Sequence, residues 1–186
     1  LRIVSAAVGM IFSQVVDVEV VNTTTETTIL GAGRGSKTIA ANTFDVGTTV
    51  RITLGGHLSD NGAPNLTIDV DLGGTQIAST GAQALNNTVS DVDWHMTFMI
   101  TCRDTGAAGH VVGSGLFEHD DDAQFGLVNT SEVAVDTTGD LTVDVTVTWS
   151  AAHADNSIVC QEATIELMKA DFLAVAAPSG LVAAEV

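Results

Sequence analysis

LTVDVTVTWS, residues 141–150, alternates without a break: Leu141, Val143, Val145, Val147 and Trp149 take one parity, and Thr142, Asp144, Thr146, Thr148 and Ser150 the other. A period of two puts the apolar set on one face of a β-strand and the hydroxyls and carboxylate on the opposite face. The β-branched residues favour this extended state, and Gly139 and Asp140 supply the turn before it. The pattern recurs in both directions along the chain. Val50, Ile52 and Leu54 alternate with Thr49, Arg51 and Thr53, and Leu66, Ile68, Val70 and Leu72 with Thr67, Asp69 and Asp71. Gly73 and Gly74 then turn the chain into Thr75–Ser79, a hairpin signal, and Asp60, Asn61 and Gly62 mark the turn before this pair. Trp94, Met96, Phe98, Ile100 and Cys102 give a long strand that ends at Asp104–Gly109, and a further strand is expected over His110–Phe117. In the last strand Ile158 and Cys160 hold one parity while Ala163, Ile165 and Leu167 hold the other, which predicts a bulge near Gln161 and Glu162. Gly81–Leu85 offers at most one short helical turn. Many short strands with glycine turns and almost no helical period predict an all-β fold, a sandwich or a barrel, of which an antiparallel β-sandwich is the expectation.

Length and composition agree with one folded domain. The 186 residues, 45% hydrophobic with a mean hydropathy of +0.32, can bury a core without a metal or disulfide staple. Six basic against 23 acidic residues give a net charge of −17 and a pI near 4.1, so no nucleic-acid partner is expected. With Lys37 and Lys169 the only lysines, such a surface repels itself at low salt, which suggests a marine or hypersaline setting. Cys102 and Cys160 lie in separate apolar runs and read as two buried thiols rather than a cystine framework. The apolar stretch Leu1–Phe12 is interrupted by Ser5 and Gly9 and reads as a docking arm or first strand rather than a signal peptide. Phe172–Ala184 is shorter than the roughly 20 residues that cross a bilayer, so no membrane partner is expected. The chain thus divides into residues 1–22, an arm or first strand; 23–170, the sandwich; and 171–186, a C-terminal docking tail.

Two longer stretches carry a family resemblance. GSKTIAANTFDVGTTVRITLGGHLSDNGAPNLTIDVDLGGTQIASTG, Gly35–Gly81, contains I-x-A-N-x-x-x-V-G-x-x-[IV]-R-[IV] followed by a glycine turn and a strand ending in L-G-G-T. VDTTGDLTVDVTVTWSAAHADNSIVCQEATIELM, Val135–Met168, contains V-T-W-S-x-A ahead of N-x-[IV]. Both resemble structural proteins of tailed bacteriophages. The resemblance implies a jelly-roll-like module in the virion: a capsid decoration (cement) protein, a head fibre or a tail-fibre domain, frequently a homotrimer. Its matching positions, Asn42, Gly47, Arg51, Gly73, Gly74, Trp149, Ser150 and Asn156, imply structural roles, and it brings no catalytic motif.

The search for chemistry returns little. Val112-Gly113-Ser114-Gly115 lacks the first glycine of a nucleophile elbow, and Gly31, Gly33 and Gly35 around Arg34 lack the helix and lysine of a phosphate loop. Glu118, His119, Asp120, Asp121 and Asp122 gather carboxylates in what reads as a solvated loop. Glu118, Asp120 and Asp122 are its candidate ligands and Ca²⁺ the ion they would take, although the D-x-[DN]-x-[DN]-G pattern is absent. His57, His95, His110, His119 and His153 lack zinc-ligand spacing. Trp94 and Trp149 fall on apolar parity and read as core rather than as sugar platforms.

These readings lead to a non-enzymatic virion protein without a cofactor, bound to the major capsid protein or another virion component through its ends. The expected interface is Leu1, Ile3, Val4, Met10, Ile11 and Phe12 with Phe172, Leu173, Val175, Leu181 and Val182, whose exposure on a monomer would leave apolar patches. The alternative is a tail-fibre or receptor- and glycan-binding module that uses the loops Gly81–Asp91 and Glu118–Asn129.

Overall fold

The computed structural model describes residues 8–85, 88–119 and 123–169. These form two antiparallel sheets packed face to face, a jelly-roll-like β-sandwich, with no helix among the described residues. The larger sheet has nine strands. Its path runs through β12 (Ala123–Val128), β11 (Gly109–His119), β10 (Val92–Asp104), β6 (Thr49–Ser59), β15 (Ser157–Met168), β1 (Val8–Gln14) and β4 (Gly33–Gly35), with β13 (Val133–Val135) on β11 and β2 (Val18–Val21) on β15. The smaller, six-stranded sheet runs through β3 (Thr27–Thr28), β14 (Leu141–Trp149), β7 (Asn65–Leu72) and β8 (Thr75–Ser79), with β5 (Thr38–Ile39) on β14 and β9 (Gln83–Ala84) on β7.

The alternation that predicts the strands also predicts the core. Val50, Ile52, Leu54 and Leu58 of β6, Trp94, Met96, Phe98 and Ile100 of β10, and Ile158, Cys160, Ala163 and Ile165 of β15 are buried against Val143, Val145, Val147 and Trp149 of β14 and Leu66, Ile68, Val70 and Leu72 of β7. The hairpin between β7 and β8 turns on Gly73 and Gly74 at φ 61° and 76°. Two consecutive positive φ values make the turn match strand twist, and glycine reaches them without a Cβ clash. The parity slip in β15 is a bulge between Cys160 and Glu162. Cys102 and Cys160 are both buried and free, and burial pushes the Cys160 thiol up to about 12. Gln83–Ala84, expected to be at most a helical turn, is instead a short strand paired with Asn65 and Leu66. Residues 8–21 supply β1 and β2, integral strands of the larger sheet.

Four positions of the quoted motifs make hydrogen bonds within the fold. Asn42 sits at φ 58° and its Nδ2 donates to the Thr138 carbonyl at 3.3 Å, and the Gly47 amide donates to the Cys102 carbonyl at 2.9 Å. The Ser150 hydroxyl accepts from the Asn65 amide at 2.8 Å. Asn156 is buried, accepting from the Asn61 amide and donating to the Ala151 carbonyl, each at 2.9 Å.

Candidate functional site

The antiparallel ladder brings the two ends of the described chain together. β1 pairs with β15 so that Val8 lies opposite Met168, and Phe12 opposite Ile165. Segments 1–7 and 170–186, both rich in apolar residues, therefore attach to neighbouring strand ends at one end of the sandwich. The Thr49 end of β6 lies there too, and Lys169 Nζ donates to Asp45 Oδ2 at 3.0 Å beside it. Of the expected interface, Leu1, Ile3, Val4, Phe172, Leu173, Val175, Leu181 and Val182 fall outside the described residues. Met10 is 59% exposed and Ile11 partly buried, but Phe12 is 4% exposed and belongs to the chain's own core. Phe12 turns inward because of a bulge. The register skips between Met10 and Phe12, so two residues of equal parity face opposite sides.

Cross-strand register builds a line on the outer face of the larger sheet. Met10 pairs with Glu166, Glu166 with Arg51, Arg51 with Met99, Met99 with Ser114 and Ser114 with Val128. At a strand spacing of about 4.8 Å this row spans about 24 Å. Its second and third members form the Arg51–Glu166 ion pair, Nε donating to Oε2 at 2.6 Å. Met10 and Met99, the latter 44% exposed, flank that pair, and Val128 at 65% exposure ends the row. The sequence hid this row, because its members come from six strands and each reads alone as an ordinary outward position.

Towards the opposite end of the same face the chemistry changes. A second row runs from Gln124 through Glu118, His95 and Gly55 to Glu162. Gly55 leaves a gap: a Cβ built there would sit 3.4 Å from Glu162 Oε1 and 3.6 Å from His95 Nδ1. The resulting depression, about 460 Å³ and also lined by Asp93, offers carboxylates and imidazole but no hydroxyl or thiol nucleophile among its lining residues. It can hold a cation or hydrogen-bond a polar ligand. Glu118 and His119, expected in a loop, lie instead at the end of β11 and face opposite sides. Glu118 joins the outer row, where Gln124 Nε2 donates to its Oε2 at 3.4 Å, and His119 is buried against Phe117 and Phe125. Asp120 and Asp122 fall outside the described residues.

One mixed cluster was invisible to spacing rules. Asp104, His110 and Glu132 bring their ligand atoms within 4.8 Å of one another, with His110 Nδ1 3.2 Å from Asp104 Oδ2. The bulge at Cys102/Asp104 and the pairing of β11 with β13 assemble it. Exposed acidic groups around one imidazole are a common arrangement without a metal. Comparison with known proteins finds no matching family model, no matching curated protein and no matching solved structure.

Proposed function

We propose that the protein is a non-enzymatic structural component of a virion, a capsid decoration or head-fibre protein that attaches to the major capsid protein through segments 1–7 and 170–186 and associates as a homotrimer. The observation that carries this reading is the Val8–Met168 pairing, which joins both apolar segments to one end of a rigid sandwich. Two arms from one end can engage a lattice together, so that avidity supplies affinity without a large contact on either arm. The row Met10, Met99 and Val128 extends apolar surface from that end, while Asp93, Glu118 and Glu162 leave the far half of the face acidic and suited to solvent. The resemblance of Gly35–Gly81 and Val135–Met168 to phage structural proteins points the same way.

The test has two parts. Light scattering of the full chain in high salt should give the mass of a trimer, and peptides of the chain should band with virus particles in a density gradient of a lysate from its source. A monomer absent from those particles would overturn the reading. Binding to defined glycans on an array, with the signal lost in Glu118→Gln or Glu162→Gln, would favour the receptor-binding alternative.

A further inference from the structure

The end of the sandwich opposite the arms closes over a buried carboxylate. Asp60 follows β6 and is 1% exposed. Its Oδ1 accepts from the Val89 amide at 2.8 Å, while Oδ2 accepts no hydrogen bond among the described residues. Removing a carboxylate from water and leaving one oxygen without a donor is costly, and the cost falls on the charged form. Burial accordingly pushes the Asp60 carboxyl up, with the Val89 amide and His119 pulling the other way. A cation drawn in against Oδ2, which is closed to solvent, would offset that cost.

Asp60 lines a cavity of about 360 Å³ formed by three chain segments: Ser59, Asp60 and Asn61 after β6, Thr88, Val89 and Ser90 before β10, and Ala154, Asp155 and Ser157 leading into β15. Asp155 is the second carboxylate, held by Asn61 Nδ2, which donates to its Oδ2 at 3.2 Å. The remaining polar side chains are hydroxyls and one amide, so the donor set is all oxygen, with no thiol or imidazole among the lining residues. Hard oxygen donors in a flexible arrangement, with two carboxylates, suit Ca²⁺. His153 stands beside the cavity, its Nδ1 3.6 Å from Asp155 Oδ2, but is not one of the lining residues. We propose that this cavity is a Ca²⁺ site in which Asp60 and Asp155 are the carboxylate ligands and the ion ties together the three segments that close this end.

The site does not depend on a virion role. It is tested on the full chain, stripped with EDTA and held at constant high NaCl, by thermal unfolding and calorimetric titration with CaCl₂ and, separately, MgCl₂. Saturable one-site binding of Ca²⁺ is expected, with a rise in Tm on the order of 5–10 °C at a hundredfold excess over Kd. Asp60→Asn and Asp155→Asn should each weaken Ca²⁺ at least tenfold, and Glu19→Gln, an exposed carboxylate on β2, should leave it unchanged. If Asp60→Asn does not fold, Asp155→Asn at the solvent-exposed position carries the test alone. No saturable rise in Tm at millimolar Ca²⁺, an equal response to Mg²⁺, or an unaltered response in Asp155→Asn would each overturn the proposal.

Discussion

At Gly56 the backbone of β15 leaves no room for a side chain. A Cβ there would lie 1.9 Å from the Val159 carbonyl oxygen, which belongs to the paired strand and cannot rotate away. Trp94 adds a second constraint, because its Nε1 donates to the Val159 carbonyl at 3.0 Å and lies 3.2 Å from that of His57. Moving Val159 to admit a methyl group would disturb that buried contact as well. Gly56→Ala should therefore destabilise the fold by about 3 kcal/mol or more, the upper range for overpacking. Gly126 is the contrast: it lies in β12 with nothing within 4 Å of a built Cβ. Gly126→Ala relieves the entropic cost of a strand glycine and should be neutral or stabilising by about 0.5–1 kcal/mol. Urea unfolding of the two variants checks both signs, and equal losses would show that local backbone approach is not what distinguishes these glycines.

Among the elements, the strands that alternate over at least five residues were legible, and those governed by a bulge or by remote pairing were not. β14, β10 and the β7–β8 hairpin follow directly from parity and glycine, because each buries one face against the other sheet. The β15 bulge was legible too, since Ile158 and Ala163 lie on long runs of opposite phase. The β1 bulge was not, because Ile11 and its neighbours are all apolar and no parity exists to break. The two- and three-residue strands β3, β4, β5, β9 and β13 are too short to show a period at all. Charge misled the reading at Glu118 and His119, where the outer sheet face accepts a carboxylate and Phe117 and Phe125 shield an imidazole. The Asp60 cavity needs three loops distant in sequence, so spacing carried no sign of it. One polar tie between the sheets was equally hidden. Asn129, just after β12, accepts from the Gly113 amide of β11 at 2.6 Å and donates its Nδ2 to the Ile77 carbonyl of β8, joining the larger sheet to the smaller. Asn129→Ala loses both bonds and leaves their partners without that side chain, so a loss of about 1–3 kcal/mol is expected. Equilibrium urea unfolding measures it, and an unchanged midpoint would mean that the Asn129 bonds add nothing to the stability of the sandwich.

For the whole molecule the dominant long-range term is the net charge of −17. Attraction offsets little of it: among the described residues the Lys and Arg ion pairs are Arg51–Glu166 and Lys169–Asp45, the second with Asp45 mostly exposed. Folding draws the carboxylates closer than they lie in an expanded chain, so unscreened repulsion lowers the stability of the sandwich relative to its unfolded state. Salt shortens the Debye length from about 30 Å at 0.01 M to about 3 Å at 1 M. Screening then removes many repulsive pairs and only a few attractive ones, which fixes the sign. Tm measured in NaCl with EDTA present, so that no Ca²⁺ contributes, should climb steeply at low salt and flatten once the screening length falls below the spacing of surface charges. A rise that continues undiminished into molar salt would instead report exclusion of the salt from the protein surface. A flat or falling curve would remove the physical basis for reading this acidic surface as adapted to a saline medium.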